Sequence, residues 1–176
     1  MTSVFTFHPE FFNNNGDQGN IEALEHFTGT KFDSSGIEGA DFVLFGDASR
    51  AAMREFRDEL EAFVAPLETR LREGLPTLLV GSSYEFFAPR IEAIPDLSYG
   101  DRVSEFRTVM SSGFEVRGYR NSEIVDRDLF ISGMFVGTTL FGPVLAKNLP
   151  LAEAFAKKLG LELSISPEER NWIAKL

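Results

Sequence analysis

The residues best placed to do chemistry in this 176-residue chain surround Leu78-Leu79-Val80-Gly81-Ser82-Ser83-Tyr84-Glu85. Three consecutive apolar residues run into a small-residue turn, and a bulky apolar segment follows. In α/β enzymes a strand, tight turn and helix of this kind lift a nucleophile out of a sheet and hold it beside backbone N–H groups. Here the nucleophile position falls on Gly81, which has no side chain. Ser82 and Ser83 are the substitute nucleophiles, and each would need a base within hydrogen-bond reach. Glu85 and His8 are the groups available for that role. A loop histidine making one hydrogen bond accounts for His8 equally well.

A second group lies earlier, in Gly16-Asp17-Gln18-Gly19-Asn20. As a binding loop it would offer Asp17 and Asn20 to a ligand, with Gly46 lying after a later strand. Helix capping by Asp17 and Asn20, with glycines shaping the turn, explains the same residues without a ligand. Glu85, Glu115 and Arg117 form an acidic and basic set suited to a polar small molecule. Solvated surface charge is the plainer account of Arg117.

Whole classes of function are disfavoured by composition. With no cysteine, the chain has no disulfide, thiol nucleophile or Cys-ligated zinc, and His8 and His26 alone leave little for a metal. No cofactor is expected. A net charge of −10 argues against nucleic acid and anionic membranes. No apolar run is long enough to span a bilayer, so a soluble, cytoplasmic protein is expected. The apolar share of 43% and charged share of 25% are those of a globular domain, and the length suits a single one over residues 1–176. Eighteen phenylalanines against three tyrosines and one tryptophan point to Phe-filled cores, with some Phe free to mark a partner surface.

Several elements must position these residues. Ser3 to Phe7 alternates as a first strand, and the Asn- and Gly-rich loop to Gly19 follows its carboxyl end. Ile21, Leu24 and Phe27 recur at helical spacing, with Asn20 as the cap and Gly29 as the stop. Thr30 to Phe32 reads as an edge strand and Asp41 to Phe45 as a central one. Met53, Phe56, Leu60, Phe63, Val64, Leu67 and Leu71 step along one helical face, with a kink or split expected at Pro66. After the strand at Leu78–Val80, a connector runs from Pro89 to Asp101. Val103 to Val109 and Gly113 to Tyr119 read as paired strands, Asn121 to Asp128 as a polar turn, and Phe130 to Leu140 as one or two strands. Helices are expected over Leu151–Leu159 and from Pro167. The order predicts an α/β fold, a flavodoxin-like three-layer sandwich whose mostly parallel sheet carries a β-rich insertion.

Three segments together resemble one family. Asn15-Gly16-Asp17-Gln18-Gly19-Asn20-Ile21 is similar to a Tyr-Gly-Asp-x-Gly-Asn motif. Leu79 to Phe87 resembles a nucleophile elbow, usually Ile-Cys-Gly-Gly-Tyr-Gln-Leu-Leu. Gly137-Thr138-Thr139-Leu140-Phe141-Gly142-Pro143-Val144-Leu145-Ala146-Lys147-Asn148 is similar to Gly-Thr-Tyr-Leu-His-Gly-Pro-Leu-Leu-x-Lys-Asn. Gly113-Phe114-Glu115 adds a weaker match. These motifs belong to class I glutamine amidotransferases of the cobyric-acid-synthase-like type. Their closest form is the glutaminase subunit that works beside a Mur-ligase-like chain in cell-wall lipid II amidation.

The resemblance implies a cysteine that attacks the glutamine amide and a histidine that shuttles the proton. Laid on this chain, those positions are Gly81 and Phe141. The family's oxyanion glycines appear as Ser82 and Ser83, and Phe45-Gly46-Asp47-Ala48-Ser49 keeps only one glycine where its Gly-Gly-Gly-x-Asp turn has three. What the resemblance implies is therefore a pseudoenzyme, a glutaminase frame without its reactive atoms. It would bind, scaffold or regulate, with a synthetase or Mur-ligase-like chain as partner, or as a homo-oligomer. The alternatives are an amide hydrolase or transferase using Ser82 or Ser83, and a small-molecule sensor using the vestigial glutamine pocket.

Overall fold

The computed structural model describes Met1–Leu176. Its main sheet is built from short strands whose neighbouring residues alternate between two apolar faces. These are β1 (Ser3–Thr6), β2 (Asp33–Ser34), β3 (Phe42–Phe45), β4 (Thr77–Val80), and, later in the chain, β7 (Leu129–Ser132) and β8 (Phe135–Thr138). Their spatial order is β2-β1-β3-β4-β8-β7. All pairings are parallel except β7 with β8, a hairpin that closes one side. The result is an α/β protein with a mostly parallel six-stranded sheet.

Both faces of that sheet are covered, which explains why β3 and β4 are apolar throughout. On one face Phe42, Leu44, Leu78 and Val80 pack against α1 (Gly19–Thr28), α6 (Val144–Lys147) and α7 (Leu149–Lys158). On the other, Val43, Phe45 and Leu79 meet α2 (Arg50–Glu55), α3 (Arg57–Ala62), α4 (Val64–Glu73) and α5 (Ser82–Phe87). Many of the phenylalanines go into this second core: Phe45 lies within ring-stacking reach of Phe5, Phe7, Phe63 and Phe87. The last helix is α8 (Pro167–Ile173).

A second, antiparallel sheet is made by β5 (Tyr99–Ser111), β6 (Phe114–Ile124) and β9 (Leu140–Phe141), in that order. It is docked through Asp128, a buried carboxylate that accepts hydrogen bonds from Thr139 Oγ1 at 2.6 Å and from Arg107 Nη1 at 2.6 Å. Arg120 Nε stands 3.2 Å from the same group. Asn148 staples the helices to this sheet by bonding both the N–H and the C=O of Arg117.

Several sequence expectations are corrected. The helical stretch before β4 breaks at Phe56 and Phe63, not at Pro66. Pro66 sits in the first turn of α4, where no backbone donor is needed. The edge strand lies at Asp33–Ser34, just past Thr30–Phe32. Residues 121–124 belong to β6 instead of a turn, and β5 starts at Tyr99, inside the expected connector. Asn20 does not cap α1. The cap position is Gln18, and Asn20 lies buried inside the first turn.

No helix is long and apolar enough to cross a membrane.

Candidate functional site

In the order β2-β1-β3 the chain moves from one side of β1 to the other, so the loops leaving β1 and β3 diverge and open a crevice at the carboxyl ends of the strands. A cavity of about 520 Å³ occupies that end. The loop after β1 supplies Asn14 and Asn15, the turn after β3 supplies Asp47 and Ala48, and α2 adds Arg50. Ser82 and Glu85 come from α5, and Phe141 comes from β9. The hairpin of β5 and β6 closes the far wall with Arg102, Asn121 and Glu123.

The turn between β4 and α5 is the centre of the site. Gly81 has φ 56° and ψ −121°, a conformation that only glycine adopts cheaply. Its N–H donates to Thr138 O at 2.8 Å, which fixes the turn to the end of β8. The next N–H, that of Ser82, donates to Asp47 Oδ1 at 2.9 Å. Asn15 Nδ2 donates to the other oxygen of Asp47 at 2.9 Å. The Asp47 carboxylate thus sits on the donor that a developing oxyanion would use, and the ring of Phe141 packs beside it against Gly81.

Both serine hydroxyls engage backbone groups, and neither is hydrogen-bonded to Glu85, which bonds Ser122 instead. Ser82 Oγ accepts from Ala48 N–H at 2.8 Å, and the buried Ser83 Oγ donates to Gly46 O at 2.7 Å. His8 is not near them. It sits between Glu10 and Glu59, its Nε2 2.9 Å from Glu59, beside a separate surface groove. The two glutamates raise its pKa against the opposing effect of burial.

Asp17 lies fully buried beneath the cavity floor, where Oδ2 accepts from Asp47 N–H at 3.0 Å and Oδ1 has no partner. Burial pushes its pKa up to about 7, opposed by that N–H and reinforced by the nearby Asp47 charge. Neither Asp17 nor Asn20 serves as the expected cap. Asn20 Nδ2 donates to Asp17 O, and its Oδ1 accepts from Leu145 N–H at 2.9 Å, joining α1 to α6. Gly46 leaves room for the backbone of Phe12 and for Asp17, which a side chain there would strike.

Glu85 faces the cavity. It accepts from Ser122 Oγ at 3.2 Å, and burial raises its pKa. Glu115 is elsewhere. It borders a different groove with Arg117 and Lys147, so the expected set of Glu85, Glu115 and Arg117 is divided between two sites. Of the candidate residues, the structure brings Ser82, Glu85 and Phe141 to one cavity, with the buried Gly81 turn, Asp17 and Gly46 supporting it.

Sequence reasoning missed the roles of Asp47, Arg102, Asn121 and Glu123. Arg102 reaches Glu123 at 3.2 Å and Asn121 Oδ1 at 3.2 Å, giving the wall one basic and one acidic group side by side. The polar run Asn121-Ser122-Glu123 was the available signal. Polar residues in a strand are expected where its face lines a cavity. No group of three or more His, Asp or Glu side chains is placed to hold a metal ion.

No family model matches the chain, and no curated protein matches its sequence.

Proposed function

We propose that this chain is a class I glutamine-amidotransferase-like protein of the cobyric-acid-synthase-like type, on a flavodoxin-like three-layer frame, that has lost glutaminase chemistry and works by binding. One observation carries this reading. The turn that would present a thiolate presents bare backbone at Gly81, with the Phe141 ring against it and the Asp47 carboxylate on the adjacent N–H. Attack on an amide needs a nucleophile, a base and a free oxyanion donor, and at this turn all three places are filled by groups that do none of these jobs. The chain then serves in the cytoplasm as a scaffold or regulatory subunit. A synthetase or Mur-ligase-like chain is the partner class, because glutaminases of the resembled family act in such complexes.

The direct test is glutamate release from glutamine by the purified chain. The expected rate is that of buffer alone, and turnover above it would overturn the reading. Co-expression with a Mur-ligase-like synthetase, followed by gel filtration, checks the partner class.

A second reading, a small-molecule sensor, is favoured by the lining of the cavity. Arg50 and Arg102 line it together with Asp47, Glu85 and Glu123, a mixed set suited to a ligand carrying both charges. Isothermal titration with amino acids and their amides tests it. Heat on addition of one of them, absent from a Glu85→Gln variant, is the expected outcome.

A further inference from the structure

The longest open backbone edge of the molecule belongs to β5, which is outermost in its sheet. Ser112 (φ 49°) and Gly113 (φ 83°) form a two-residue loop between the paired residues Ser111 and Phe114. In such a hairpin the flanking pair exchanges both backbone hydrogen bonds, and the bonding alternates from there. The odd residues from Ser111 back to Val103 therefore bond to β6. The N–H and C=O groups of Ser104, Phe106, Thr108 and Met110 point outward, and all four residues are exposed. Phe106 is 75% exposed and Met110 64%. Proteins usually guard a long edge bearing large apolar groups, because it is a template for another strand.

The segment Val103-Ser104-Glu105-Phe106-Arg107-Thr108-Val109 has the same chemistry read from either end. Valines stand at its ends, hydroxyls inside them, opposite charges next, and Phe106 at the centre. A two-fold axis through Phe106 would set Val103 opposite Val109, Ser104 opposite Thr108, and Glu105 opposite Arg107. In the same register the outward-pointing groups of Ser104, Phe106 and Thr108 meet their counterparts, so the hydrogen-bond phase and the side-chain phase agree. The two nearest alternative registers with that phase place Glu105 against Glu105 or Arg107 against Arg107, and like charges directly opposite are unfavourable.

We propose that β5 pairs antiparallel with β5 of a second copy of this chain, in the register centred on Phe106, to form a two-fold symmetric dimer. The dimer carries one continuous six-stranded antiparallel sheet. Phe106, Tyr119 and Phe141 are aligned across β5, β6 and β9, with the Phe106 and Tyr119 ring centres 5.4 Å apart. Pairing joins the two rows end to end, so an aromatic ladder connects the two cavities through their Phe141 residues. This inference does not depend on the proposed function.

Sedimentation velocity of the full chain at micromolar concentration is expected to give twice the 19.6 kDa mass of one chain. Phe106→Glu is expected to raise the dimer dissociation constant by about a hundredfold or more, while circular dichroism shows the fold intact, since Phe106 lies outside the core. The chain has no native cysteine, so the register can be read covalently. Under mild oxidation, Phe106→Cys and the double variant Ser104→Cys/Thr108→Cys are expected to form linked dimers, whereas Ser104→Cys alone is not. A single-chain mass at every concentration, a dimer undiminished in Phe106→Glu, or equal linking through Ser104→Cys alone would each overturn the proposal.

Discussion

A Cβ atom built on Gly81 would stand 2.7 Å from Cε1 of Phe141 and would also run into the Asp47 carboxylate. The turn and the ring are fitted to each other with no space for even a methyl group. Adding one forces the ring or the carboxylate to move, and it imposes a left-handed φ on a residue that resists it. Gly81→Ala is therefore expected to lose about 2–4 kcal/mol in a urea unfolding experiment. Combined with Phe141→Ala, the loss should fall short of the sum of the two single changes by about 1 kcal/mol. Strict additivity would mean that the ring does not press on the turn.

Asp17 makes stability depend on pH in a defined direction. Its ordinary value of 3.8 rises to about 7 in the folded protein. Between those values the folded chain holds a proton that the unfolded chain has lost, so stability falls as pH rises through this window and levels off above it. The full cost at pH 8 is at most about 4 kcal/mol. Asp17→Asn keeps an acceptor for Asp47 N–H and removes the titration. The variant is expected to melt higher than the parent at pH 8, with the gap shrinking towards pH 4. A gap that ignores pH would refute this.

Gly137 is tested by volume. A Cβ there would enter the ring of the buried Tyr84, whose hydroxyl donates to Arg127 O at 3.1 Å. Gly137→Ala should cost about 2–3 kcal/mol by overpacking, and pairing it with Tyr84→Leu should recover part of that loss. Calorimetric melting of the three variants decides the matter.

Arg70 offers a fourth test. It is buried, and its guanidinium donates to Thr77 Oγ1, Ala40 O, Asp41 O and Pro76 O, tying α4 to the starts of β3 and β4. Burial lowers its pKa to about 10, partly offset by Asp41 and Glu73. Arg70→Met is expected to lose about 3 kcal/mol, because the buried Ala40 carbonyl is left without its donor and the tie between α4 and the strand starts is cut. A loss under 1 kcal/mol, about the worth of one ordinary hydrogen bond, would show that water replaces the guanidinium.

What the sequence conveyed followed local physics. The unbroken apolar runs of β3 and β4 announce strands covered on both sides, and the small residues at Gly81-Ser82 announce the turn between strand and helix. The helical stretch from Met53 to Leu71 kept its apolar spacing through two interruptions, so spacing alone placed the break at the only proline. Tertiary roles were less visible. Asn20 looks like a cap by type and position, yet its Oδ1 serves Leu145 N–H, 125 residues away in the chain. Residues 121–124 look like a turn by polarity, yet they pair with β5 as strand. Asn121 and Glu123 turn to the cavity, and Ser122 and Ile124 are buried on the other face. Arg70 sits among the apolar positions of its helix with no local sign that four acceptors await it.

The Asp47 carboxylate gives the cavity a resident anion. A ligand that arrives with a carboxylate or phosphate at the α5 end must first evict a tethered competitor whose effective concentration never falls. One that brings an ammonium or an amide N–H meets a ready acceptor instead. The molecule is thereby biased, before any partner is considered, towards guests that lead with a donor.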